Sequence, residues 1–102
     1  MPSTHHNNAT NAKPVVILGA GGHAHVLISL LKLINRPIAA LLDDDHDKHG
    51  NTLDGLTIAG NFDALIQHPP DTIELVNALG SAHRPTTRQA VFERFASLGY
   101  TF

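Results

Sequence analysis

Apolar and polar positions follow one another along this chain in blocks that predict strands and helices in turn. Residues 15–18 form an apolar run rich in β-branched side chains, and a glycine cluster at 19–22 follows directly. The next apolar residues recur at helical spacing, which predicts a helix over 22–35 that Asn35 and Pro37 end. The predicted buried face of this helix comprises Val26, Leu27, Leu30, Leu31 and Ile34. A strand, a glycine turn and a helix in this order are typical of a buried parallel strand and its crossover helix.

The middle of the chain continues the alternation with shorter blocks. An apolar run at 38–42 predicts a second strand, and a polar loop at 43–51 follows it. Residues 53–60 have the pattern of a turn with a short extended piece. A short helix is predicted over 61–67, with Asn61 as its N-cap.

The last third of the chain predicts one more strand and one more helix. The strand spans 72–79, where Asn77 is a lone polar residue in an apolar run. The helix spans 85–98 and ends at Gly99 as its C′ residue. Its predicted core stripe comprises Val91, Phe92, Phe95 and Leu98. Residues 100–102 have strand character, so a fourth strand begins there, and we interpret the chain as the N-terminal domain of a longer protein.

Strands that alternate with helices predict an α/β fold with right-handed crossovers and a parallel sheet of three to four strands. The predicted domain covers residues 14–102. Residues 1–13 are polar and aperiodic, which predicts a disordered N-terminal tail. The adjacent His5 and His6 could bind a metal weakly, but a solvated tail is the favoured interpretation.

Composition narrows the class of protein. A chain of 102 residues with 42% hydrophobic positions can form one small domain with a modest core. A net charge of −2 provides no basic surface for nucleic acid. The absence of cysteine excludes disulfides and thiolate metal sites. The apolar runs are shorter than a membrane span and the N-terminus lacks a signal-peptide pattern, so we expect a cytoplasmic protein.

The glycine cluster has the chemistry of a phosphate site. Glycine permits positive φ in a tight turn, and its missing side chain lets a phosphate approach the backbone. The helix that follows directs its first N–H groups and the positive end of its dipole to the same place. The pattern Gly19-x-Gly21-x-x-Ala24 fits the dinucleotide-binding fingerprint, and Asp43 lies nineteen residues beyond Ala24, close to the ~20 at which an acid binds ribose. The glycine pattern and the acid at this spacing together favour nucleotide binding over a purely structural turn.

The carboxyl ends of the three predicted strands should meet in one crevice, where such folds bind ligands. The candidate binding residues follow these strand ends: Gly19, Gly21, Gly22, His23, Asp43, Asp44, Gly80 and Ser81. Backbone N–H groups near Gly21 and Gly22 would hold a pyrophosphate. An aspartate would accept hydrogen bonds from ribose or from a base, and Gly80 would let the ligand lie against the backbone.

Each candidate also has a structural interpretation. His23 could donate to phosphate or bind nearby backbone, with equal support for either. Asp43 could be a strand-end turn residue, and Asp44 could be a solvated charge. The carboxylates and histidines of 43–49 could bind a divalent cation, but the segment lacks the pattern of a calcium loop. For that reason we predict no metal site. We also find no nucleophile with a paired base, so we predict no catalytic residue.

Four motifs, in the order in which they occur along this chain, resemble those of one known family. They are Val-Val-Ile-Leu-Gly-Ala-Gly-Gly-His-Ala (15–24), Leu-Leu-Asp-Asp-Asp (41–45), Gly-Leu-Thr-Ile-Ala-Gly (55–60) and Ala-Leu-Gly-Ser (78–81). They resemble the N-terminal domain of bacterial sugar acetyltransferases of the left-handed β-helix type. These are the sialic-acid O-acetyltransferase type and the UDP-4-amino-sugar N-acetyltransferases of bacillosamine and perosamine pathways.

The resemblance implies a small, three-layer, Rossmann-like domain that binds a nucleotide sugar, with a UDP-amino-sugar as the expected ligand, in bacterial surface glycan biosynthesis. It implies that Gly21, Gly22 and His23 contact the diphosphate. It further implies that Asp43 and Asp44 contact uridine, and that Gly80 lines the site. The family's catalytic histidine, its acetyl-CoA site and its trimer interface belong to a β-helix domain absent from this sequence, so we expect no acetylation by this chain alone.

One other function stays open on the sequence. The fingerprint also suits a domain that binds NAD(P) or another dinucleotide, as in a sensor or part of a dehydrogenase. The residues that transfer hydride and the longer sheet of a dehydrogenase are not visible in the sequence.

Overall fold

A five-stranded sheet forms the centre of the domain in the computed structural model, which describes residues 13–79 and 85–102. Its strand order is β3-β4-β2-β1-β5. The elements are β1 (Val15–Leu18), α1 (Gly22–Leu33), β2 (Ile38–Leu42), β3 (Thr52–Leu53), β4 (Leu56–Gly60), β5 (Glu74–Asn77) and α2 (Pro85–Ala96). Two 3₁₀ helices lie at His46–Lys48 and Phe62–Gln67. Neither α-helix in this part of the chain combines the length and hydrophobicity that a membrane span requires.

β1 lies between β2 and β5 and is buried on both of its faces. It pairs in parallel with both neighbours, and none of its four residues is more than 2% exposed. A continuous run of β-branched and aliphatic side chains suits this position, because no side of the strand meets water. The glycine turn therefore begins at a fixed point in the middle of the sheet.

Alternate side chains of β1 support two separate cores. Val15 and Ile17 pack with Ala24 and Ile28 of α1. The other two residues of the strand point to the opposite face, where Phe62 of the second 3₁₀ helix belongs to the same cluster. Phe95 of α2 also packs in that second core. The predicted α/β fold is thus confirmed, with a layer on each side of the sheet.

The parallel part of the sheet has four strands, at the upper end of the predicted range, but the fourth is not the expected one. It is β4, which pairs with β2, and β3 adds antiparallel to its outer edge. The hairpin between β3 and β4 turns at Asp54 and Gly55, with φ of 52° and 83°. Positive φ at both positions suits a tight two-residue turn. Residues 100–102 form no strand, although the Leu75 N–H donates to the Thr101 carbonyl at 2.8 Å.

The predicted face of α1 was wrong in part. Ala24 and Ile28 are the fully buried residues of the helix, and two of the predicted residues, Leu27 and Leu31, are partly buried. The other three predicted core residues are mostly exposed: Val26, Leu30 and Ile34. The small side chain of Ala24 lets the first turn of the helix lie close to the sheet, which rotates the buried face toward it. A prediction based only on large apolar residues misses the contact between Ala24 and the sheet.

The second helix shows the same kind of difference. Phe95 is buried and Val91 packs against the core, whereas Phe92 is 47% and Leu98 is 60% exposed. The Phe92 ring instead contacts Phe102, with ring centroids 5.0 Å apart. The large apolar residues of α2 therefore occupy a wider face of the helix than the face that packs against the core.

The predicted C′ residue of α2 is confirmed by its geometry. Gly99 has φ of 95°. Its N–H donates to the Ala96 carbonyl at 3.0 Å, and the Tyr100 N–H donates to the Phe95 carbonyl at 3.1 Å. This pair of bonds is the Schellman arrangement, which requires a left-handed residue at the position of the glycine.

Tyr100 connects this helix end to the second 3₁₀ helix. Its hydroxyl oxygen lies 2.9 Å from the Leu65 carbonyl and 2.7 Å from the His68 carbonyl. The hydroxyl proton can be donated to either oxygen. The ring packs edge-on against Phe95, with centroids 6.0 Å apart. Burial raises the pKa of the Tyr100 hydroxyl above its ordinary value of 10.0.

We expect Tyr100→Phe to lower the free energy of unfolding at neutral pH by about 1 kcal/mol, because the two carbonyls lose their donor. The wild-type protein should also lose stability as pH rises above 10.0, where the unfolded chain releases the phenolic proton and the folded chain retains it. Denaturant unfolding at pH 7 and at pH values above 10 measures both effects. A stability loss at high pH that is equal in the two proteins would contradict this assignment.

Candidate functional site

The strand order reverses at β1, and this reversal places several loops at one edge of the sheet. β2 and β4 lie on one side of β1, and β5 lies on the other. The Gly19 N–H donates to the Leu42 carbonyl at 2.7 Å, and the Ala78 N–H donates to the Leu18 carbonyl at 2.8 Å. The chain that follows β1 is therefore held between the ends of β2 and β5. Folds of this class bind ligands in the crevice at such a reversal.

Gly19 is required by the fold itself. Its φ is 106°, which an L side chain adopts only with strain. A Cβ at this position would lie 3.1 Å from the Leu79 side chain and 3.2 Å from the Ala78 backbone. This glycine therefore lets the turn pass close to the chain beyond β5, and its contact with a ligand stays a prediction.

Gly21 and Gly22 have no such structural requirement. Gly21 has φ of −93°, in the extended region that other residues adopt, and Gly22 begins α1. A Cβ at either position would meet no atom of residues 13–79 or 85–102 within 4 Å. The side chains that are missing here would point into open space, which is the property that a close approach of a ligand to the backbone needs.

The start of α1 presents N–H groups to that open space. Gly21 is the N-cap, and its carbonyl accepts from the Ala24 N–H at 3.1 Å. The N–H groups of Gly22 and His23 have no acceptor within residues 13–79 and 85–102. The first turn of α1, which the structure describes in full, contains no acidic side chain. The positive end of this helix dipole is therefore available to an anion.

His23 is exposed beside these N–H groups. Of its two interpretations, the one with local backbone bonding has no support in the described residues, where the ring makes no hydrogen bond. His25, two residues further along the helix, binds Asp54 of the hairpin through its Nδ1 at 2.5 Å. The two histidines of the motif thus lie in different surroundings, and only His23 lies open at the helix start.

Asp43 lies at the end of β2 and joins two loops. One carboxylate oxygen accepts from the Ala20 N–H at 2.8 Å, and the other accepts from the Asp45 N–H at 2.8 Å. The Lys48 ammonium lies 3.7 Å from the first oxygen, and the Asp43 side chain is only 13% exposed. The residue is therefore next to the predicted site, with both of its oxygens engaged by protein.

Asp44 lies on the outer side of the same strand end and is exposed. One of its oxygens accepts from the Phe62 N–H at 2.8 Å and so caps the second 3₁₀ helix. This function was predicted for Asn61, which occupies the N-cap position but makes no side-chain cap bond. Sequence spacing along one segment cannot identify a cap that comes from a loop eighteen residues earlier.

The carboxylates and histidines after Asp44 organise their own loop. Asp45 accepts from the Asp47 N–H at 3.0 Å, and His49 contacts the Asp43 carbonyl through its Nε2 at 2.6 Å. Within residues 13–79 and 85–102, no three such side chains are grouped as metal ligands would be.

Gly80 and Ser81 lie outside the described residues, as do residues 1–12 of the predicted tail. Asn77, which the sequence marks as a polar residue in an apolar strand, lies just before them. Its side chain accepts from the Leu79 N–H at 3.2 Å and donates to the Arg88 carbonyl at 3.1 Å. Asn77 therefore joins the end of β5 to α2 beside the crevice. Its polarity in an apolar strand is the one sequence signal for this role, and no motif predicts it.

An apolar groove of about 620 Å³ lies elsewhere, beside the second 3₁₀ helix. It is lined by residues that include Ile66, Pro70, Leu98 and Tyr100, and none of the predicted site residues that the structure describes lines it.

Comparison with known proteins gives one family and several related structures. The family model described as the PglD N-terminal domain matches residues 14–95. No curated protein sequence matches the chain significantly.

The related structures include a sugar N-acetyltransferase. A point variant of perosamine N-acetyltransferase from Caulobacter crescentus, in complex with CoA and GDP-perosamine, is 28% identical with a TM-score of 0.69. That match covers 85% of this chain and 39% of the other. PerB from the same bacterium, with the same two ligands, is 28% identical with a TM-score of 0.68 and the same coverage.

A more distant structure shows the fold alone. The acetyltransferase domain of PglB from Neisseria gonorrhoeae, in complex with acetyl coenzyme A, is 22% identical with a TM-score of 0.68. The match covers 87% of this chain and 41% of that domain. The chain therefore spans about two fifths of the length of the structures it matches.

The glycines of the turn should differ sharply in their effect on stability. We expect Gly19→Ala to lower the free energy of unfolding by about 2 kcal/mol or more, because it combines left-handed strain with a backbone clash. Gly22→Ala is the matched control, and it should leave stability unchanged or raise it by up to about 1 kcal/mol, because alanine favours the helix. Urea unfolding of the three proteins measures this, and equal losses in both variants would contradict the assignment.

Proposed function

Because this chain belongs to the PglD N-terminal domain family, we propose that it is the substrate-binding domain of an acetyl-CoA-dependent sugar acetyltransferase and that it binds a nucleotide sugar. The family match confirms the resemblance found in the four sequence motifs. The related structures support this class of enzyme. One is a variant of perosamine N-acetyltransferase, and two were solved with GDP-perosamine and CoA.

The observation that carries this proposal is the open start of α1. The Gly22 and His23 N–H groups point from the positive end of a twelve-residue helix, and no side chain of the described residues lies within 4 Å of where a Cβ of Gly21 or Gly22 would be. A diphosphate needs both features, because its oxygens accept several hydrogen bonds and its charge is stabilised by the dipole. His23 is placed to donate one further bond.

The rest of the nucleotide sugar would extend along the strand ends on either side of the turn. Asp44, which follows β2, is proposed to accept from the base, since it is exposed and retains one oxygen beyond its bond to Phe62. Gly80 and Ser81 are proposed to line the sugar on the β5 side. The sequence resemblance supports a UDP-amino-sugar, and the GDP-perosamine in related structures makes the guanine nucleotide the ligand to compare with it.

Acetyl transfer is proposed for the longer protein and not for this domain. We assign the acetyl-CoA site, the catalytic histidine and the homotrimer to the β-helix domain that the resemblance implies. Within this scheme the domain holds the nucleotide end of the substrate, so that the amino sugar is presented to a site formed elsewhere.

The geometry disfavours the alternative of a dinucleotide-binding domain. In the dinucleotide fingerprint, the acid at the end of the second strand binds the ribose hydroxyls. Here that acid is Asp43, whose two oxygens already accept from Ala20 and Asp45. NAD therefore serves as the comparison ligand for the experiment.

A proline at the first position of α1 tests the diphosphate site directly. Gly22→Pro removes one proposed phosphate donor, and proline is well tolerated at this position. Gly22→Ala is the matched control that keeps the N–H. We expect calorimetry to show UDP and UDP-amino-sugar binding to the wild type, with Gly22→Pro binding roughly 10–100-fold more weakly, as the loss of a charge-assisted hydrogen bond implies.

Gly22→Ala should stay within about threefold of the wild type, which corresponds to less than 1 kcal/mol. A preference for GDP over UDP would change the proposed base and leave the site intact. Binding of NAD alone, or no binding of any nucleotide diphosphate, would contradict the proposal.

A further inference from the structure

We propose that Asp43 is a positioning residue, which holds the glycine turn in place through its carboxylate and does not touch the nucleotide. This inference rests on the proposed function, because it concerns the same site. It departs from the sequence pattern and from the family resemblance, both of which make Asp43 a ligand-contacting acid.

The carboxylate of Asp43 bridges two loops that come from different strands. Oδ2 accepts from the Ala20 N–H at 2.8 Å, and Ala20 immediately precedes Gly21 in the turn after β1. Oδ1 accepts from the Asp45 N–H at 2.8 Å in the loop after β2. The two bonds fix the turn relative to the end of β2.

The backbone of Asp43 is fixed as firmly as its side chain. Its N–H donates to the Gly60 carbonyl of β4 at 2.9 Å. Its carbonyl oxygen lies 2.6 Å from His49 Nε2. A residue held at its N–H, its carbonyl and both carboxylate oxygens cannot swing out to meet a ligand without breaking several of these bonds.

Electrostatics also oppose direct contact between Asp43 and the diphosphate of the ligand. A carboxylate that faced a diphosphate would repel it. Asp43 is 13% exposed, with the Lys48 ammonium 3.7 Å from Oδ2. Two N–H donors and a nearby cation offset the charge of this carboxylate, so the turn above it can still accept an anion.

Asp44 has the opposite character. It is exposed, and one of its oxygens caps the second 3₁₀ helix at the Phe62 N–H. Its other oxygen has no hydrogen-bond partner in the described part of the chain. Of these two acids, Asp44 is therefore the one that contacts the base, whereas Asp43 holds the glycine turn in place.

Two ligands separate these roles: inorganic pyrophosphate, which uses only the anion site, and UDP, which adds the base. Asp43→Asn replaces one acceptor oxygen by an amide, which cannot accept from an N–H. We expect at least a tenfold loss of affinity for pyrophosphate and UDP alike, with faster hydrogen exchange at the Ala20 or the Asp45 amide. Asp44→Asn is the matched control, and it should weaken UDP by a similar factor while leaving pyrophosphate within about twofold.

If Asp43 read the base directly, Asp43→Asn would weaken UDP and leave both pyrophosphate binding and the exchange of the two amides unchanged, which would overturn the inference. Should Asp43→Asn fail to fold, carbon NMR of the wild type gives the same answer. On addition of UDP, the Asp44 carboxyl resonance should move and that of Asp43 should stay in place; a larger shift at Asp43 would overturn the inference. Failure of the proposed function is a separate result, since wild-type protein would then bind neither ligand.

Discussion

The complete burial of β1 is the constraint on which the rest of this structure depends. A strand with no face in water can carry only apolar side chains, because each buried and unpaired polar group would cost several kcal/mol. The four residues of β1 stabilise both cores, at about 1.5–3 kcal/mol for each side chain. Any polar chemistry must therefore begin after Leu18, where the strand ends. The position of the site follows from the position of the core.

The same constraint explains why the sequence predicts the strand ends well. The apolar runs at 15–18 and 38–42 are continuous and short, and the structure has β1 and β2 at these positions. The glycine turn and Asp43 follow them directly, so their nearness in space could be inferred from parallel pairing alone. What the pattern could not supply was the direction of each carboxylate, since Asp43 and Asp44 are neighbours that face different surroundings.

The helix faces were harder to predict for a physical reason. Small residues such as Ala24 decide where a helix lies closest to a sheet, yet a count of large apolar residues gives them little weight. Val26 and Leu30 have the right spacing for a core face but are about half exposed. The cap of the second 3₁₀ helix shows the same limit, because Asp44 reaches Phe62 from another loop. A sequence pattern within one segment cannot predict a contact with a segment that is distant in the chain.

The difference between the glycines of the turn has a consequence for how such a domain can change over evolutionary time. Gly19 is tied to the fold by its backbone conformation and by the chain beyond β5. No atom of the described residues lies within 4 Å of a Cβ placed at Gly21 or Gly22, so their replacement would change the surface that is proposed to meet a ligand while the core stays as it is. Selection on ligand preference can therefore act at these two positions without first requiring compensating stability elsewhere. A fold that separates the requirements of its core from those of its proposed ligand surface can be reused for different ligands.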